Sequence, residues 1–270
     1  MNSISQSVFS LHYLEELSKK RTCIHSLNGG IKLAVTLLYL AAVLSIGRYD
    51  LSRLLPFVVY PIVLFLLGEI PIKGMLKRLL PVAPFVIAVG IFNPILDKET
   101  GAMLGSIVIS RGWISFIVIL LKCCLAVLSV LLLVATTGID SIAGALRSAG
   151  VPKLMVTQLL LTYRYISVIA EEGERMSRAY HLRGPASKGV AIKYMGPMLG
   201  SLLLRALDRA DRVYSAMKLR GFTGEEFFCR SNPVDRASII YLAVWLVIFT
   251  GARVFDIPQL LGNLMMGVII

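Results

Sequence analysis

ISFIVILLKCCLAVLSVLLLVATT, residues Ile114 to Thr137, holds one charge, Lys122, in an otherwise apolar run. A lipid hydrocarbon core is crossed by roughly 20 mostly apolar residues in helical form. This run therefore reads as a transmembrane helix. Trp113 stands at its edge, where an interfacial aromatic ring belongs. The composition agrees: the 270 residues are 56% hydrophobic and 16% charged, against about 25% charged in soluble domains. Mean hydropathy is +0.76. The expected class is an all-α integral membrane protein.

Outward from that run, Ile31–Ile46, Leu54–Gly68 and Ala237–Gly251 are further candidate spans. Leu80–Leu96 is another, interrupted by Pro81, Pro84 and Pro94. The total is about five; the apolar tail Ile257–Ile270 is short for a sixth and is left open. No cleavable leader is read in the first 30 residues.

Charge in the connections sets the expected orientation. Lys19, Lys20, Arg21 and Lys32 precede or open the first span, and Lys73, Lys77 and Arg78 follow the second. The other connections are balanced, with Arg48, Asp50 and Arg53, then Asp97, Lys98, Glu99 and Arg111. The positive-inside rule places the N-terminus in the cytoplasm and the C-terminus outside. The net charge of +12 is then a cytoplasmic membrane face rather than a nucleic-acid surface. Three segments are expected: residues 1–137 with four spans, 138–233 in the cytoplasm, and 234–270 with the last span.

Between Gly138 and Arg236 lie 15 Lys/Arg and 9 Asp/Glu. The same stretch keeps apolar runs such as LMVTQLLLTYRYISVIA, too long for loops and too charged for a hydrocarbon core. Long amphipathic helices at the membrane surface satisfy both facts. One is expected from Pro152 to Arg183. A second follows Gly196-Pro197 and ends at Arg220-Gly221, with Leu199, Leu203, Leu207, Ala210, Tyr214 and Met217 at helical spacing.

These two helices end alike. ERMSRAYHLRG (Glu174–Gly184) and DRVYSAMKLRG (Asp211–Gly221) share Arg175/Arg212, Ala179/Ala216, Leu182/Leu219, Arg183/Arg220 and Gly184/Gly221, with Glu174 matched by Asp211. Glycine closes a helix in the left-handed conformation at little steric cost. An Arg at that negative end gains about 0.3–1 kcal/mol from the dipole. Capping alone needs only the Gly. The shared acid, Ala and Leu-Arg point to two plugs for two matched sockets, and the planar guanidinium fork suits a carboxylate socket.

The paired endings resemble the cytoplasmic signatures of the transmembrane T component of energy-coupling-factor (ECF) transporters, in its cobalt-type branch. There two short X-Arg-X motifs, commonly Ala-Arg-Gly, close two coupling helices. Here they read Leu182-Arg183-Gly184 and Leu219-Arg220-Gly221. HSLNGGIKL, IFNPILD, LLLTYRYISVIAEEGERM and RALDRADRVYSAMKLRGF also look like the family, over most of Ile24–Gly224, and TYRY favours the metal-type branch. The resemblance implies a non-catalytic scaffold in the bacterial or archaeal cell membrane. Its partners would be two cytoplasmic ABC ATPases, which bind ATP and Mg, and a separate substrate-binding membrane subunit. The cargo would be cobalt or nickel, with vitamins as the alternative, and no cofactor is bound directly. Leu182 and Leu219 depart from the small residue usual before the Arg.

Other chemistry is sparse. No Gly-x-x-x-x-Gly-Lys-Ser/Thr phosphate loop occurs, so ATP hydrolysis would need another chain. Cys23, Cys123, Cys124 and Cys229 form no C-x-x-C pair, and His12, His25 and His181 lie far apart. Neither pattern makes a metal site. No G-x-S-x-G or H-E-x-x-H motif supports a membrane hydrolase. A self-sufficient secondary transporter would need repeated membrane spans, yet the visible repeat is cytoplasmic. Lys122, about 12 Å along its span at 1.5 Å per residue, is a functional candidate by position. It equally suits snorkelling or a partner such as Asp97. Asn93-Pro94 reads as a broken helix end. Glu171, Glu172 and Glu174 with Arg164, Arg175 and Arg178 have the spacing of helix-face ion pairs.

Overall fold

The computed structural model describes residues 17, 18, 20, 22–96, 100–104, 107–183, 192–223 and 234–254. They fall into two compact units, one of residues 17–142 with 234–254 and the other of residues 143–223.

The first unit is built around the run that opened the sequence. Helices α1 (Cys23–Ser26), α2 (Gly29–Leu44), α3 (Leu51–Gly68), α4 (Ile72–Leu79), α5 (Ala83–Gly90) and α6 (Phe92–Leu96) precede it. A hairpin of β1 (Thr100–Leu104) and β2 (Ile107–Ser110) leads into α7, Arg111–Thr137. Helix α8 (Ile139–Ser148) follows, its residues from Ala143 onward belonging to the second unit, and α11 (Arg236–Val254) returns to the first. Helices α2 to α6 all pack on α7, and α11 packs on α2.

Of the described helices, α3, α7 and α11 are long and apolar enough to cross a membrane. Helices α4 and Ala83–Pro94 form a bent pair, at 48°, that passes the same test as one broken span. Pro81, Pro84 and Pro94 explain the break, since proline removes a helical hydrogen bond and crowds the preceding turn. Helix α2 is apolar but has 16 residues, about 24 Å at 1.5 Å per residue. Ile257–Ile270, the doubtful sixth span, lies outside the described residues.

The hairpin was not expected from the sequence, which read there as a connection between spans. Its pairs are Thr100↔Ser110, Ala102↔Ile109, Met103↔Val108 and Leu104↔Ile107, with an irregularity at Gly101. The β-branched run Ile107-Val108-Ile109 favours extended backbone, and glycine fits a bulge.

Close approach at the start of α2 depends on one glycine. Asn28 caps the helix, its side chain accepting from the N–H groups of Gly30 (2.8 Å) and Ile31 (3.3 Å). The Asn28 N–H in turn donates to Ser238 Oγ of α11 at 3.1 Å. A Cβ on Gly29 would come within 3.0 Å of Thr137 Cγ2 and 3.1 Å of the Ser141 backbone oxygen. The NGG in HSLNGGIKL thus joins a cap to a backbone contact.

Helix ends in this unit are closed by cations. The buried Lys32 ammonium donates to the Thr136 carbonyl at 2.8 Å, in the last turn of α7. Toward the other end of α7, Lys122 donates to the Ile46 carbonyl, just past α2. Arg253 of α11 donates to Ser45 there, to its carbonyl at 3.2 Å and its Oγ at 2.9 Å. Positive groups belong at the negative end of a helix, where carbonyls lack intrahelical partners. Lys122 sits at the level where the shorter α2 stops, so capping explains a charge inside the longest span. Asp97, its alternative partner, lies outside the described residues.

An aromatic core ties α11 to α2 and α3. Tyr39 stacks on Tyr60 at 4.5 Å, Tyr60 meets Trp245 edge-on at 4.7 Å, and Trp245 stacks on Phe249 at 5.4 Å. The Tyr39 hydroxyl donates to the Phe57 carbonyl at 3.1 Å, and Tyr60 shares a hydrogen bond with Thr36 at 3.0 Å. Buried polar tips are thereby satisfied. Asn93 donates to Ser115 Oγ of α7 at 3.4 Å, which gives the broken helix end a structural anchor.

The second unit contains α9 (Lys153–Arg183) and α10 (Ile192–Leu219). Pro152 stands immediately before α9, its carbonyl accepting from the Met155 and Val156 N–H groups, a position where its missing N–H costs nothing. Helix α10 begins at Ile192, before Gly196-Pro197, where the sequence had placed a kink or start; Pro197 lies inside the helix. Ile192 and Met195 carry the apolar spacing upstream of Leu199, so the pattern runs through the proline.

Candidate functional site

The two Leu-Arg endings sit at the C-termini of α9 and α10, and those helices run antiparallel. Tyr180, near the end of α9, meets Tyr194, near the start of α10, at 5.6 Å. Glu172 and Arg205 meet further along, and Leu154 at the start of α9 shares a groove with Met217 and Phe222 at the end of α10. Arg183 and Arg220 therefore lie at opposite ends of the pair. At 1.5 Å per residue, the distance along α9 from Leu154 to Leu182 is roughly 42 Å. The duplicated residues are not brought together; the fold separates them.

Helix α10 closes as a Schellman cap. Gly221 has φ +84°, its N–H bonds the Lys218 carbonyl at 3.0 Å, and the Phe222 N–H bonds the Met217 carbonyl at 3.0 Å. Phe222 and Met217 both line the groove between the helices, as the apolar contact of this cap requires. Arg220 occupies the turn directly after Leu219. Arg183 is the last residue of α9; Gly184 lies outside the described residues. A second cap of the same type, which the sequence reading missed, closes α8. Gly150 has φ +95°, and the Gly150 and Val151 N–H groups bond Arg147 and Leu146.

The described residues of both signatures are open to solvent. Leu182 is 88% and Leu219 90% exposed, the highest values among the described large apolar residues. Arg183, Arg220, Ala179, Ala216 and Asp211 are also exposed, while Glu174 is half-buried and pairs with Arg178 at 3.4 Å.

Glu172 bridges the two helices at the surface. It accepts from Arg175 on its own helix at 2.7 Å and from Arg205 on α10 at 2.5 Å. Arg205, and then Arg175, keep its carboxyl below the usual carboxylate range. Helical spacing foretold the first partner; nothing in a single sequence singled out Arg205. Above this bridge an apolar groove of about 500 Å³ runs between Leu161, Tyr165 and Ile169 of α9 and Ala210, Tyr214 and Met217 of α10.

His12 lies outside the described residues, and the other two histidines have local partners. His181 packs edge-on against Tyr180 at 5.8 Å, and His25 Nδ1 shares a hydrogen bond with Thr22 Oγ1 at 2.7 Å. Among the described residues no group of three or more His, Cys, Asp or Glu could hold a metal ion. The site is thus a pair of exposed basic helix ends, separated by a long antiparallel helix pair, and its geometry suits attachment to other macromolecules.

Comparison with known proteins gives this geometry a family. Residues 20–228 match the model of the CbiQ family, described as cobalt transport protein. The chain is 30% identical over 115 residues to the cobalt transport protein CbiQ of Rhodobacter capsulatus. That match covers 42% of this chain and 47% of the relative, about half its length. It is 24% identical over 249 residues to the energy-coupling factor transporter transmembrane protein EcfT of Ruminiclostridium cellulolyticum, covering 84% of this chain and 90% of the relative. The corresponding protein of Thermosediminibacter oceani is 24% identical over 233 residues, 80% of this chain and 86% of the relative. The chain belongs to the CbiQ cobalt transport protein family.

Proposed function

We propose that this chain is the scaffold and energy-coupling subunit of an ECF importer, with cobalt or nickel as the transported ion. Arg183 and Arg220 each dock on acidic groove residues of one of two cytoplasmic ATPases. Closure of the ATPase pair on ATP moves α9 and α10, and the movement reaches a separate substrate-binding membrane subunit. The chain crosses the membrane five times, with its N-terminus and residues 138–233 in the cytoplasm. Selective metal ligands belong to the substrate-binding subunit.

The observation that carries this reading is the placement of two matched, exposed Leu-Arg endings at opposite ends of one antiparallel helix pair. Two endings roughly 42 Å apart along a helix cannot share one socket, and a two-subunit motor supplies two. The family match supports the transporter setting.

Truncating one partner of a buried interfacial charge pair costs about 2–5 kcal/mol. Arg183→Ala with Arg220→Ala is therefore expected to strip the ATPases during co-purification and abolish ATP-dependent uptake of radiolabelled cobalt or nickel. An intact complex with wild-type uptake would refute the docking.

A further inference from the structure

We propose that Leu182 and Leu219 set which ATPase this chain accepts, each leucine filling an apolar pocket beside the carboxylate that receives the neighbouring Arg. The proposal rests on the docking reading above and specifies the chemistry of the partner's groove.

A lone exposed leucine needs no explanation. Here there are two, each directly before the signature Arg, and they are the two most exposed large apolar side chains described. Closure of the helix does not account for Leu219. In α10 the apolar contact of the cap is made by Met217 and Phe222, both facing the interhelical groove, which leaves Leu219 outside it. Nor do the two leucines belong to the contact between α9 and α10, which runs through Glu172, Arg205 and the groove. Each tip therefore presents an apolar branch and a guanidinium side by side. A complementary socket has an apolar wall next to an acid, and a socket shaped for alanine would exclude the larger side chain, as tight interfaces do by steric clash.

The test uses the full-length chain co-expressed with the ABC ATPases of its own genome, with affinity read from complex dissociation in detergent. Burying a leucine side chain corresponds to roughly tenfold or more in affinity. The pair Leu182→Ala and Leu219→Ala is expected to weaken ATPase binding at least tenfold, while Leu182→Met with Leu219→Met stays within about threefold. Thermal stability should be unchanged in both, because the sites are exposed. If the Ala pair binds within twofold of wild type while Arg183→Ala with Arg220→Ala abolishes binding, the leucine proposal falls and the docking reading stands. If neither pair changes binding, both fall. A second readout places an environment-sensitive bimane on Leu182→Cys or Leu219→Cys in a cysteine-free background, reconstituted in vesicles of phosphatidylethanolamine and phosphatidylglycerol. A blue shift is expected only on adding the ATPases. A shift in vesicles alone would assign the leucines to lipid and overturn the proposal.

Discussion

The two units solve opposite problems. In the first, Tyr39, Phe57, Tyr60, Trp245 and Phe249 are buried against one another, and cations close the helix ends inside the unit. In the second, α10 contains no buried residue along its 28 positions, and leucines such as Leu203 and Leu204 stand more than half exposed. Burial of apolar side chains is the main source of stability. The first unit has that stabilisation within itself, whereas α10 leaves its apolar surface exposed.

Substitutions should separate the two regimes most sharply at their apolar residues. Trp245→Ala removes a ring packed on Tyr60 and Phe249 and should cost about 3–5 kcal/mol, seen as a large fall in melting temperature of the purified chain in detergent. Leu203→Ala, on α10, should change it by no more than about 0.5 kcal/mol. Similar losses at the two sites would erase the distinction.

Glycines offer the next contrast. Gly29→Ala forces a Cβ against Thr137 and the Ser141 backbone, and overpacking of this kind costs about 1–3 kcal/mol. Gly200, inside α10, has nothing within 4 Å of a built Cβ. Gly200→Ala should stabilise its helix by up to about 1 kcal/mol, readable as slower hydrogen exchange in α10.

Acid should affect the two units in different pH windows. His25 lies outside the spans; burial and the nearby charges of Lys32 and Lys20 lower its pKa from the ordinary 6.5. The unfolded chain then takes up a proton at higher pH than the folded one, so the first unit should lose stability as pH falls below about 6.5. His25→Gln should flatten that slope in pH-dependent thermal melts. Glu172 works lower. Its depressed pKa gives a contribution that is present above its ordinary value of 4.5 and lost as pH falls through the lowered one. The effect at this surface bridge should be small, and Glu172→Gln should remove it from the α9–α10 exchange protection.

These contrasts also mark what a single sequence carries. The α7 run, the extent of α9 and the glycine stop after Arg220 were legible because apolar length, Pro152 and Gly221 act locally. The start of α10 was not, because Pro197 is an expected helix boundary and the helix tolerates it. The role of Lys122 was also hidden: its acceptor, the Ile46 carbonyl, is 76 positions away, and its meaning depends on α2 being shorter than α7. Arg205 is the same case, 33 positions from Glu172. Antiparallel placement of the two signatures, which bears most on function, required the helices to be seen side by side.

Whether the two helix ends engage two separate ATPase subunits can be read by crosslinking. A photoreactive residue introduced at position 182, at position 219, or at both would be activated in the complete complex and the products sized by mass spectrometry. Each single site should yield the chain joined to one ATPase, and the double-site chain should also yield a product carrying two. A double-site chain that never captures more than one ATPase, or captures none, would refute docking at two sockets.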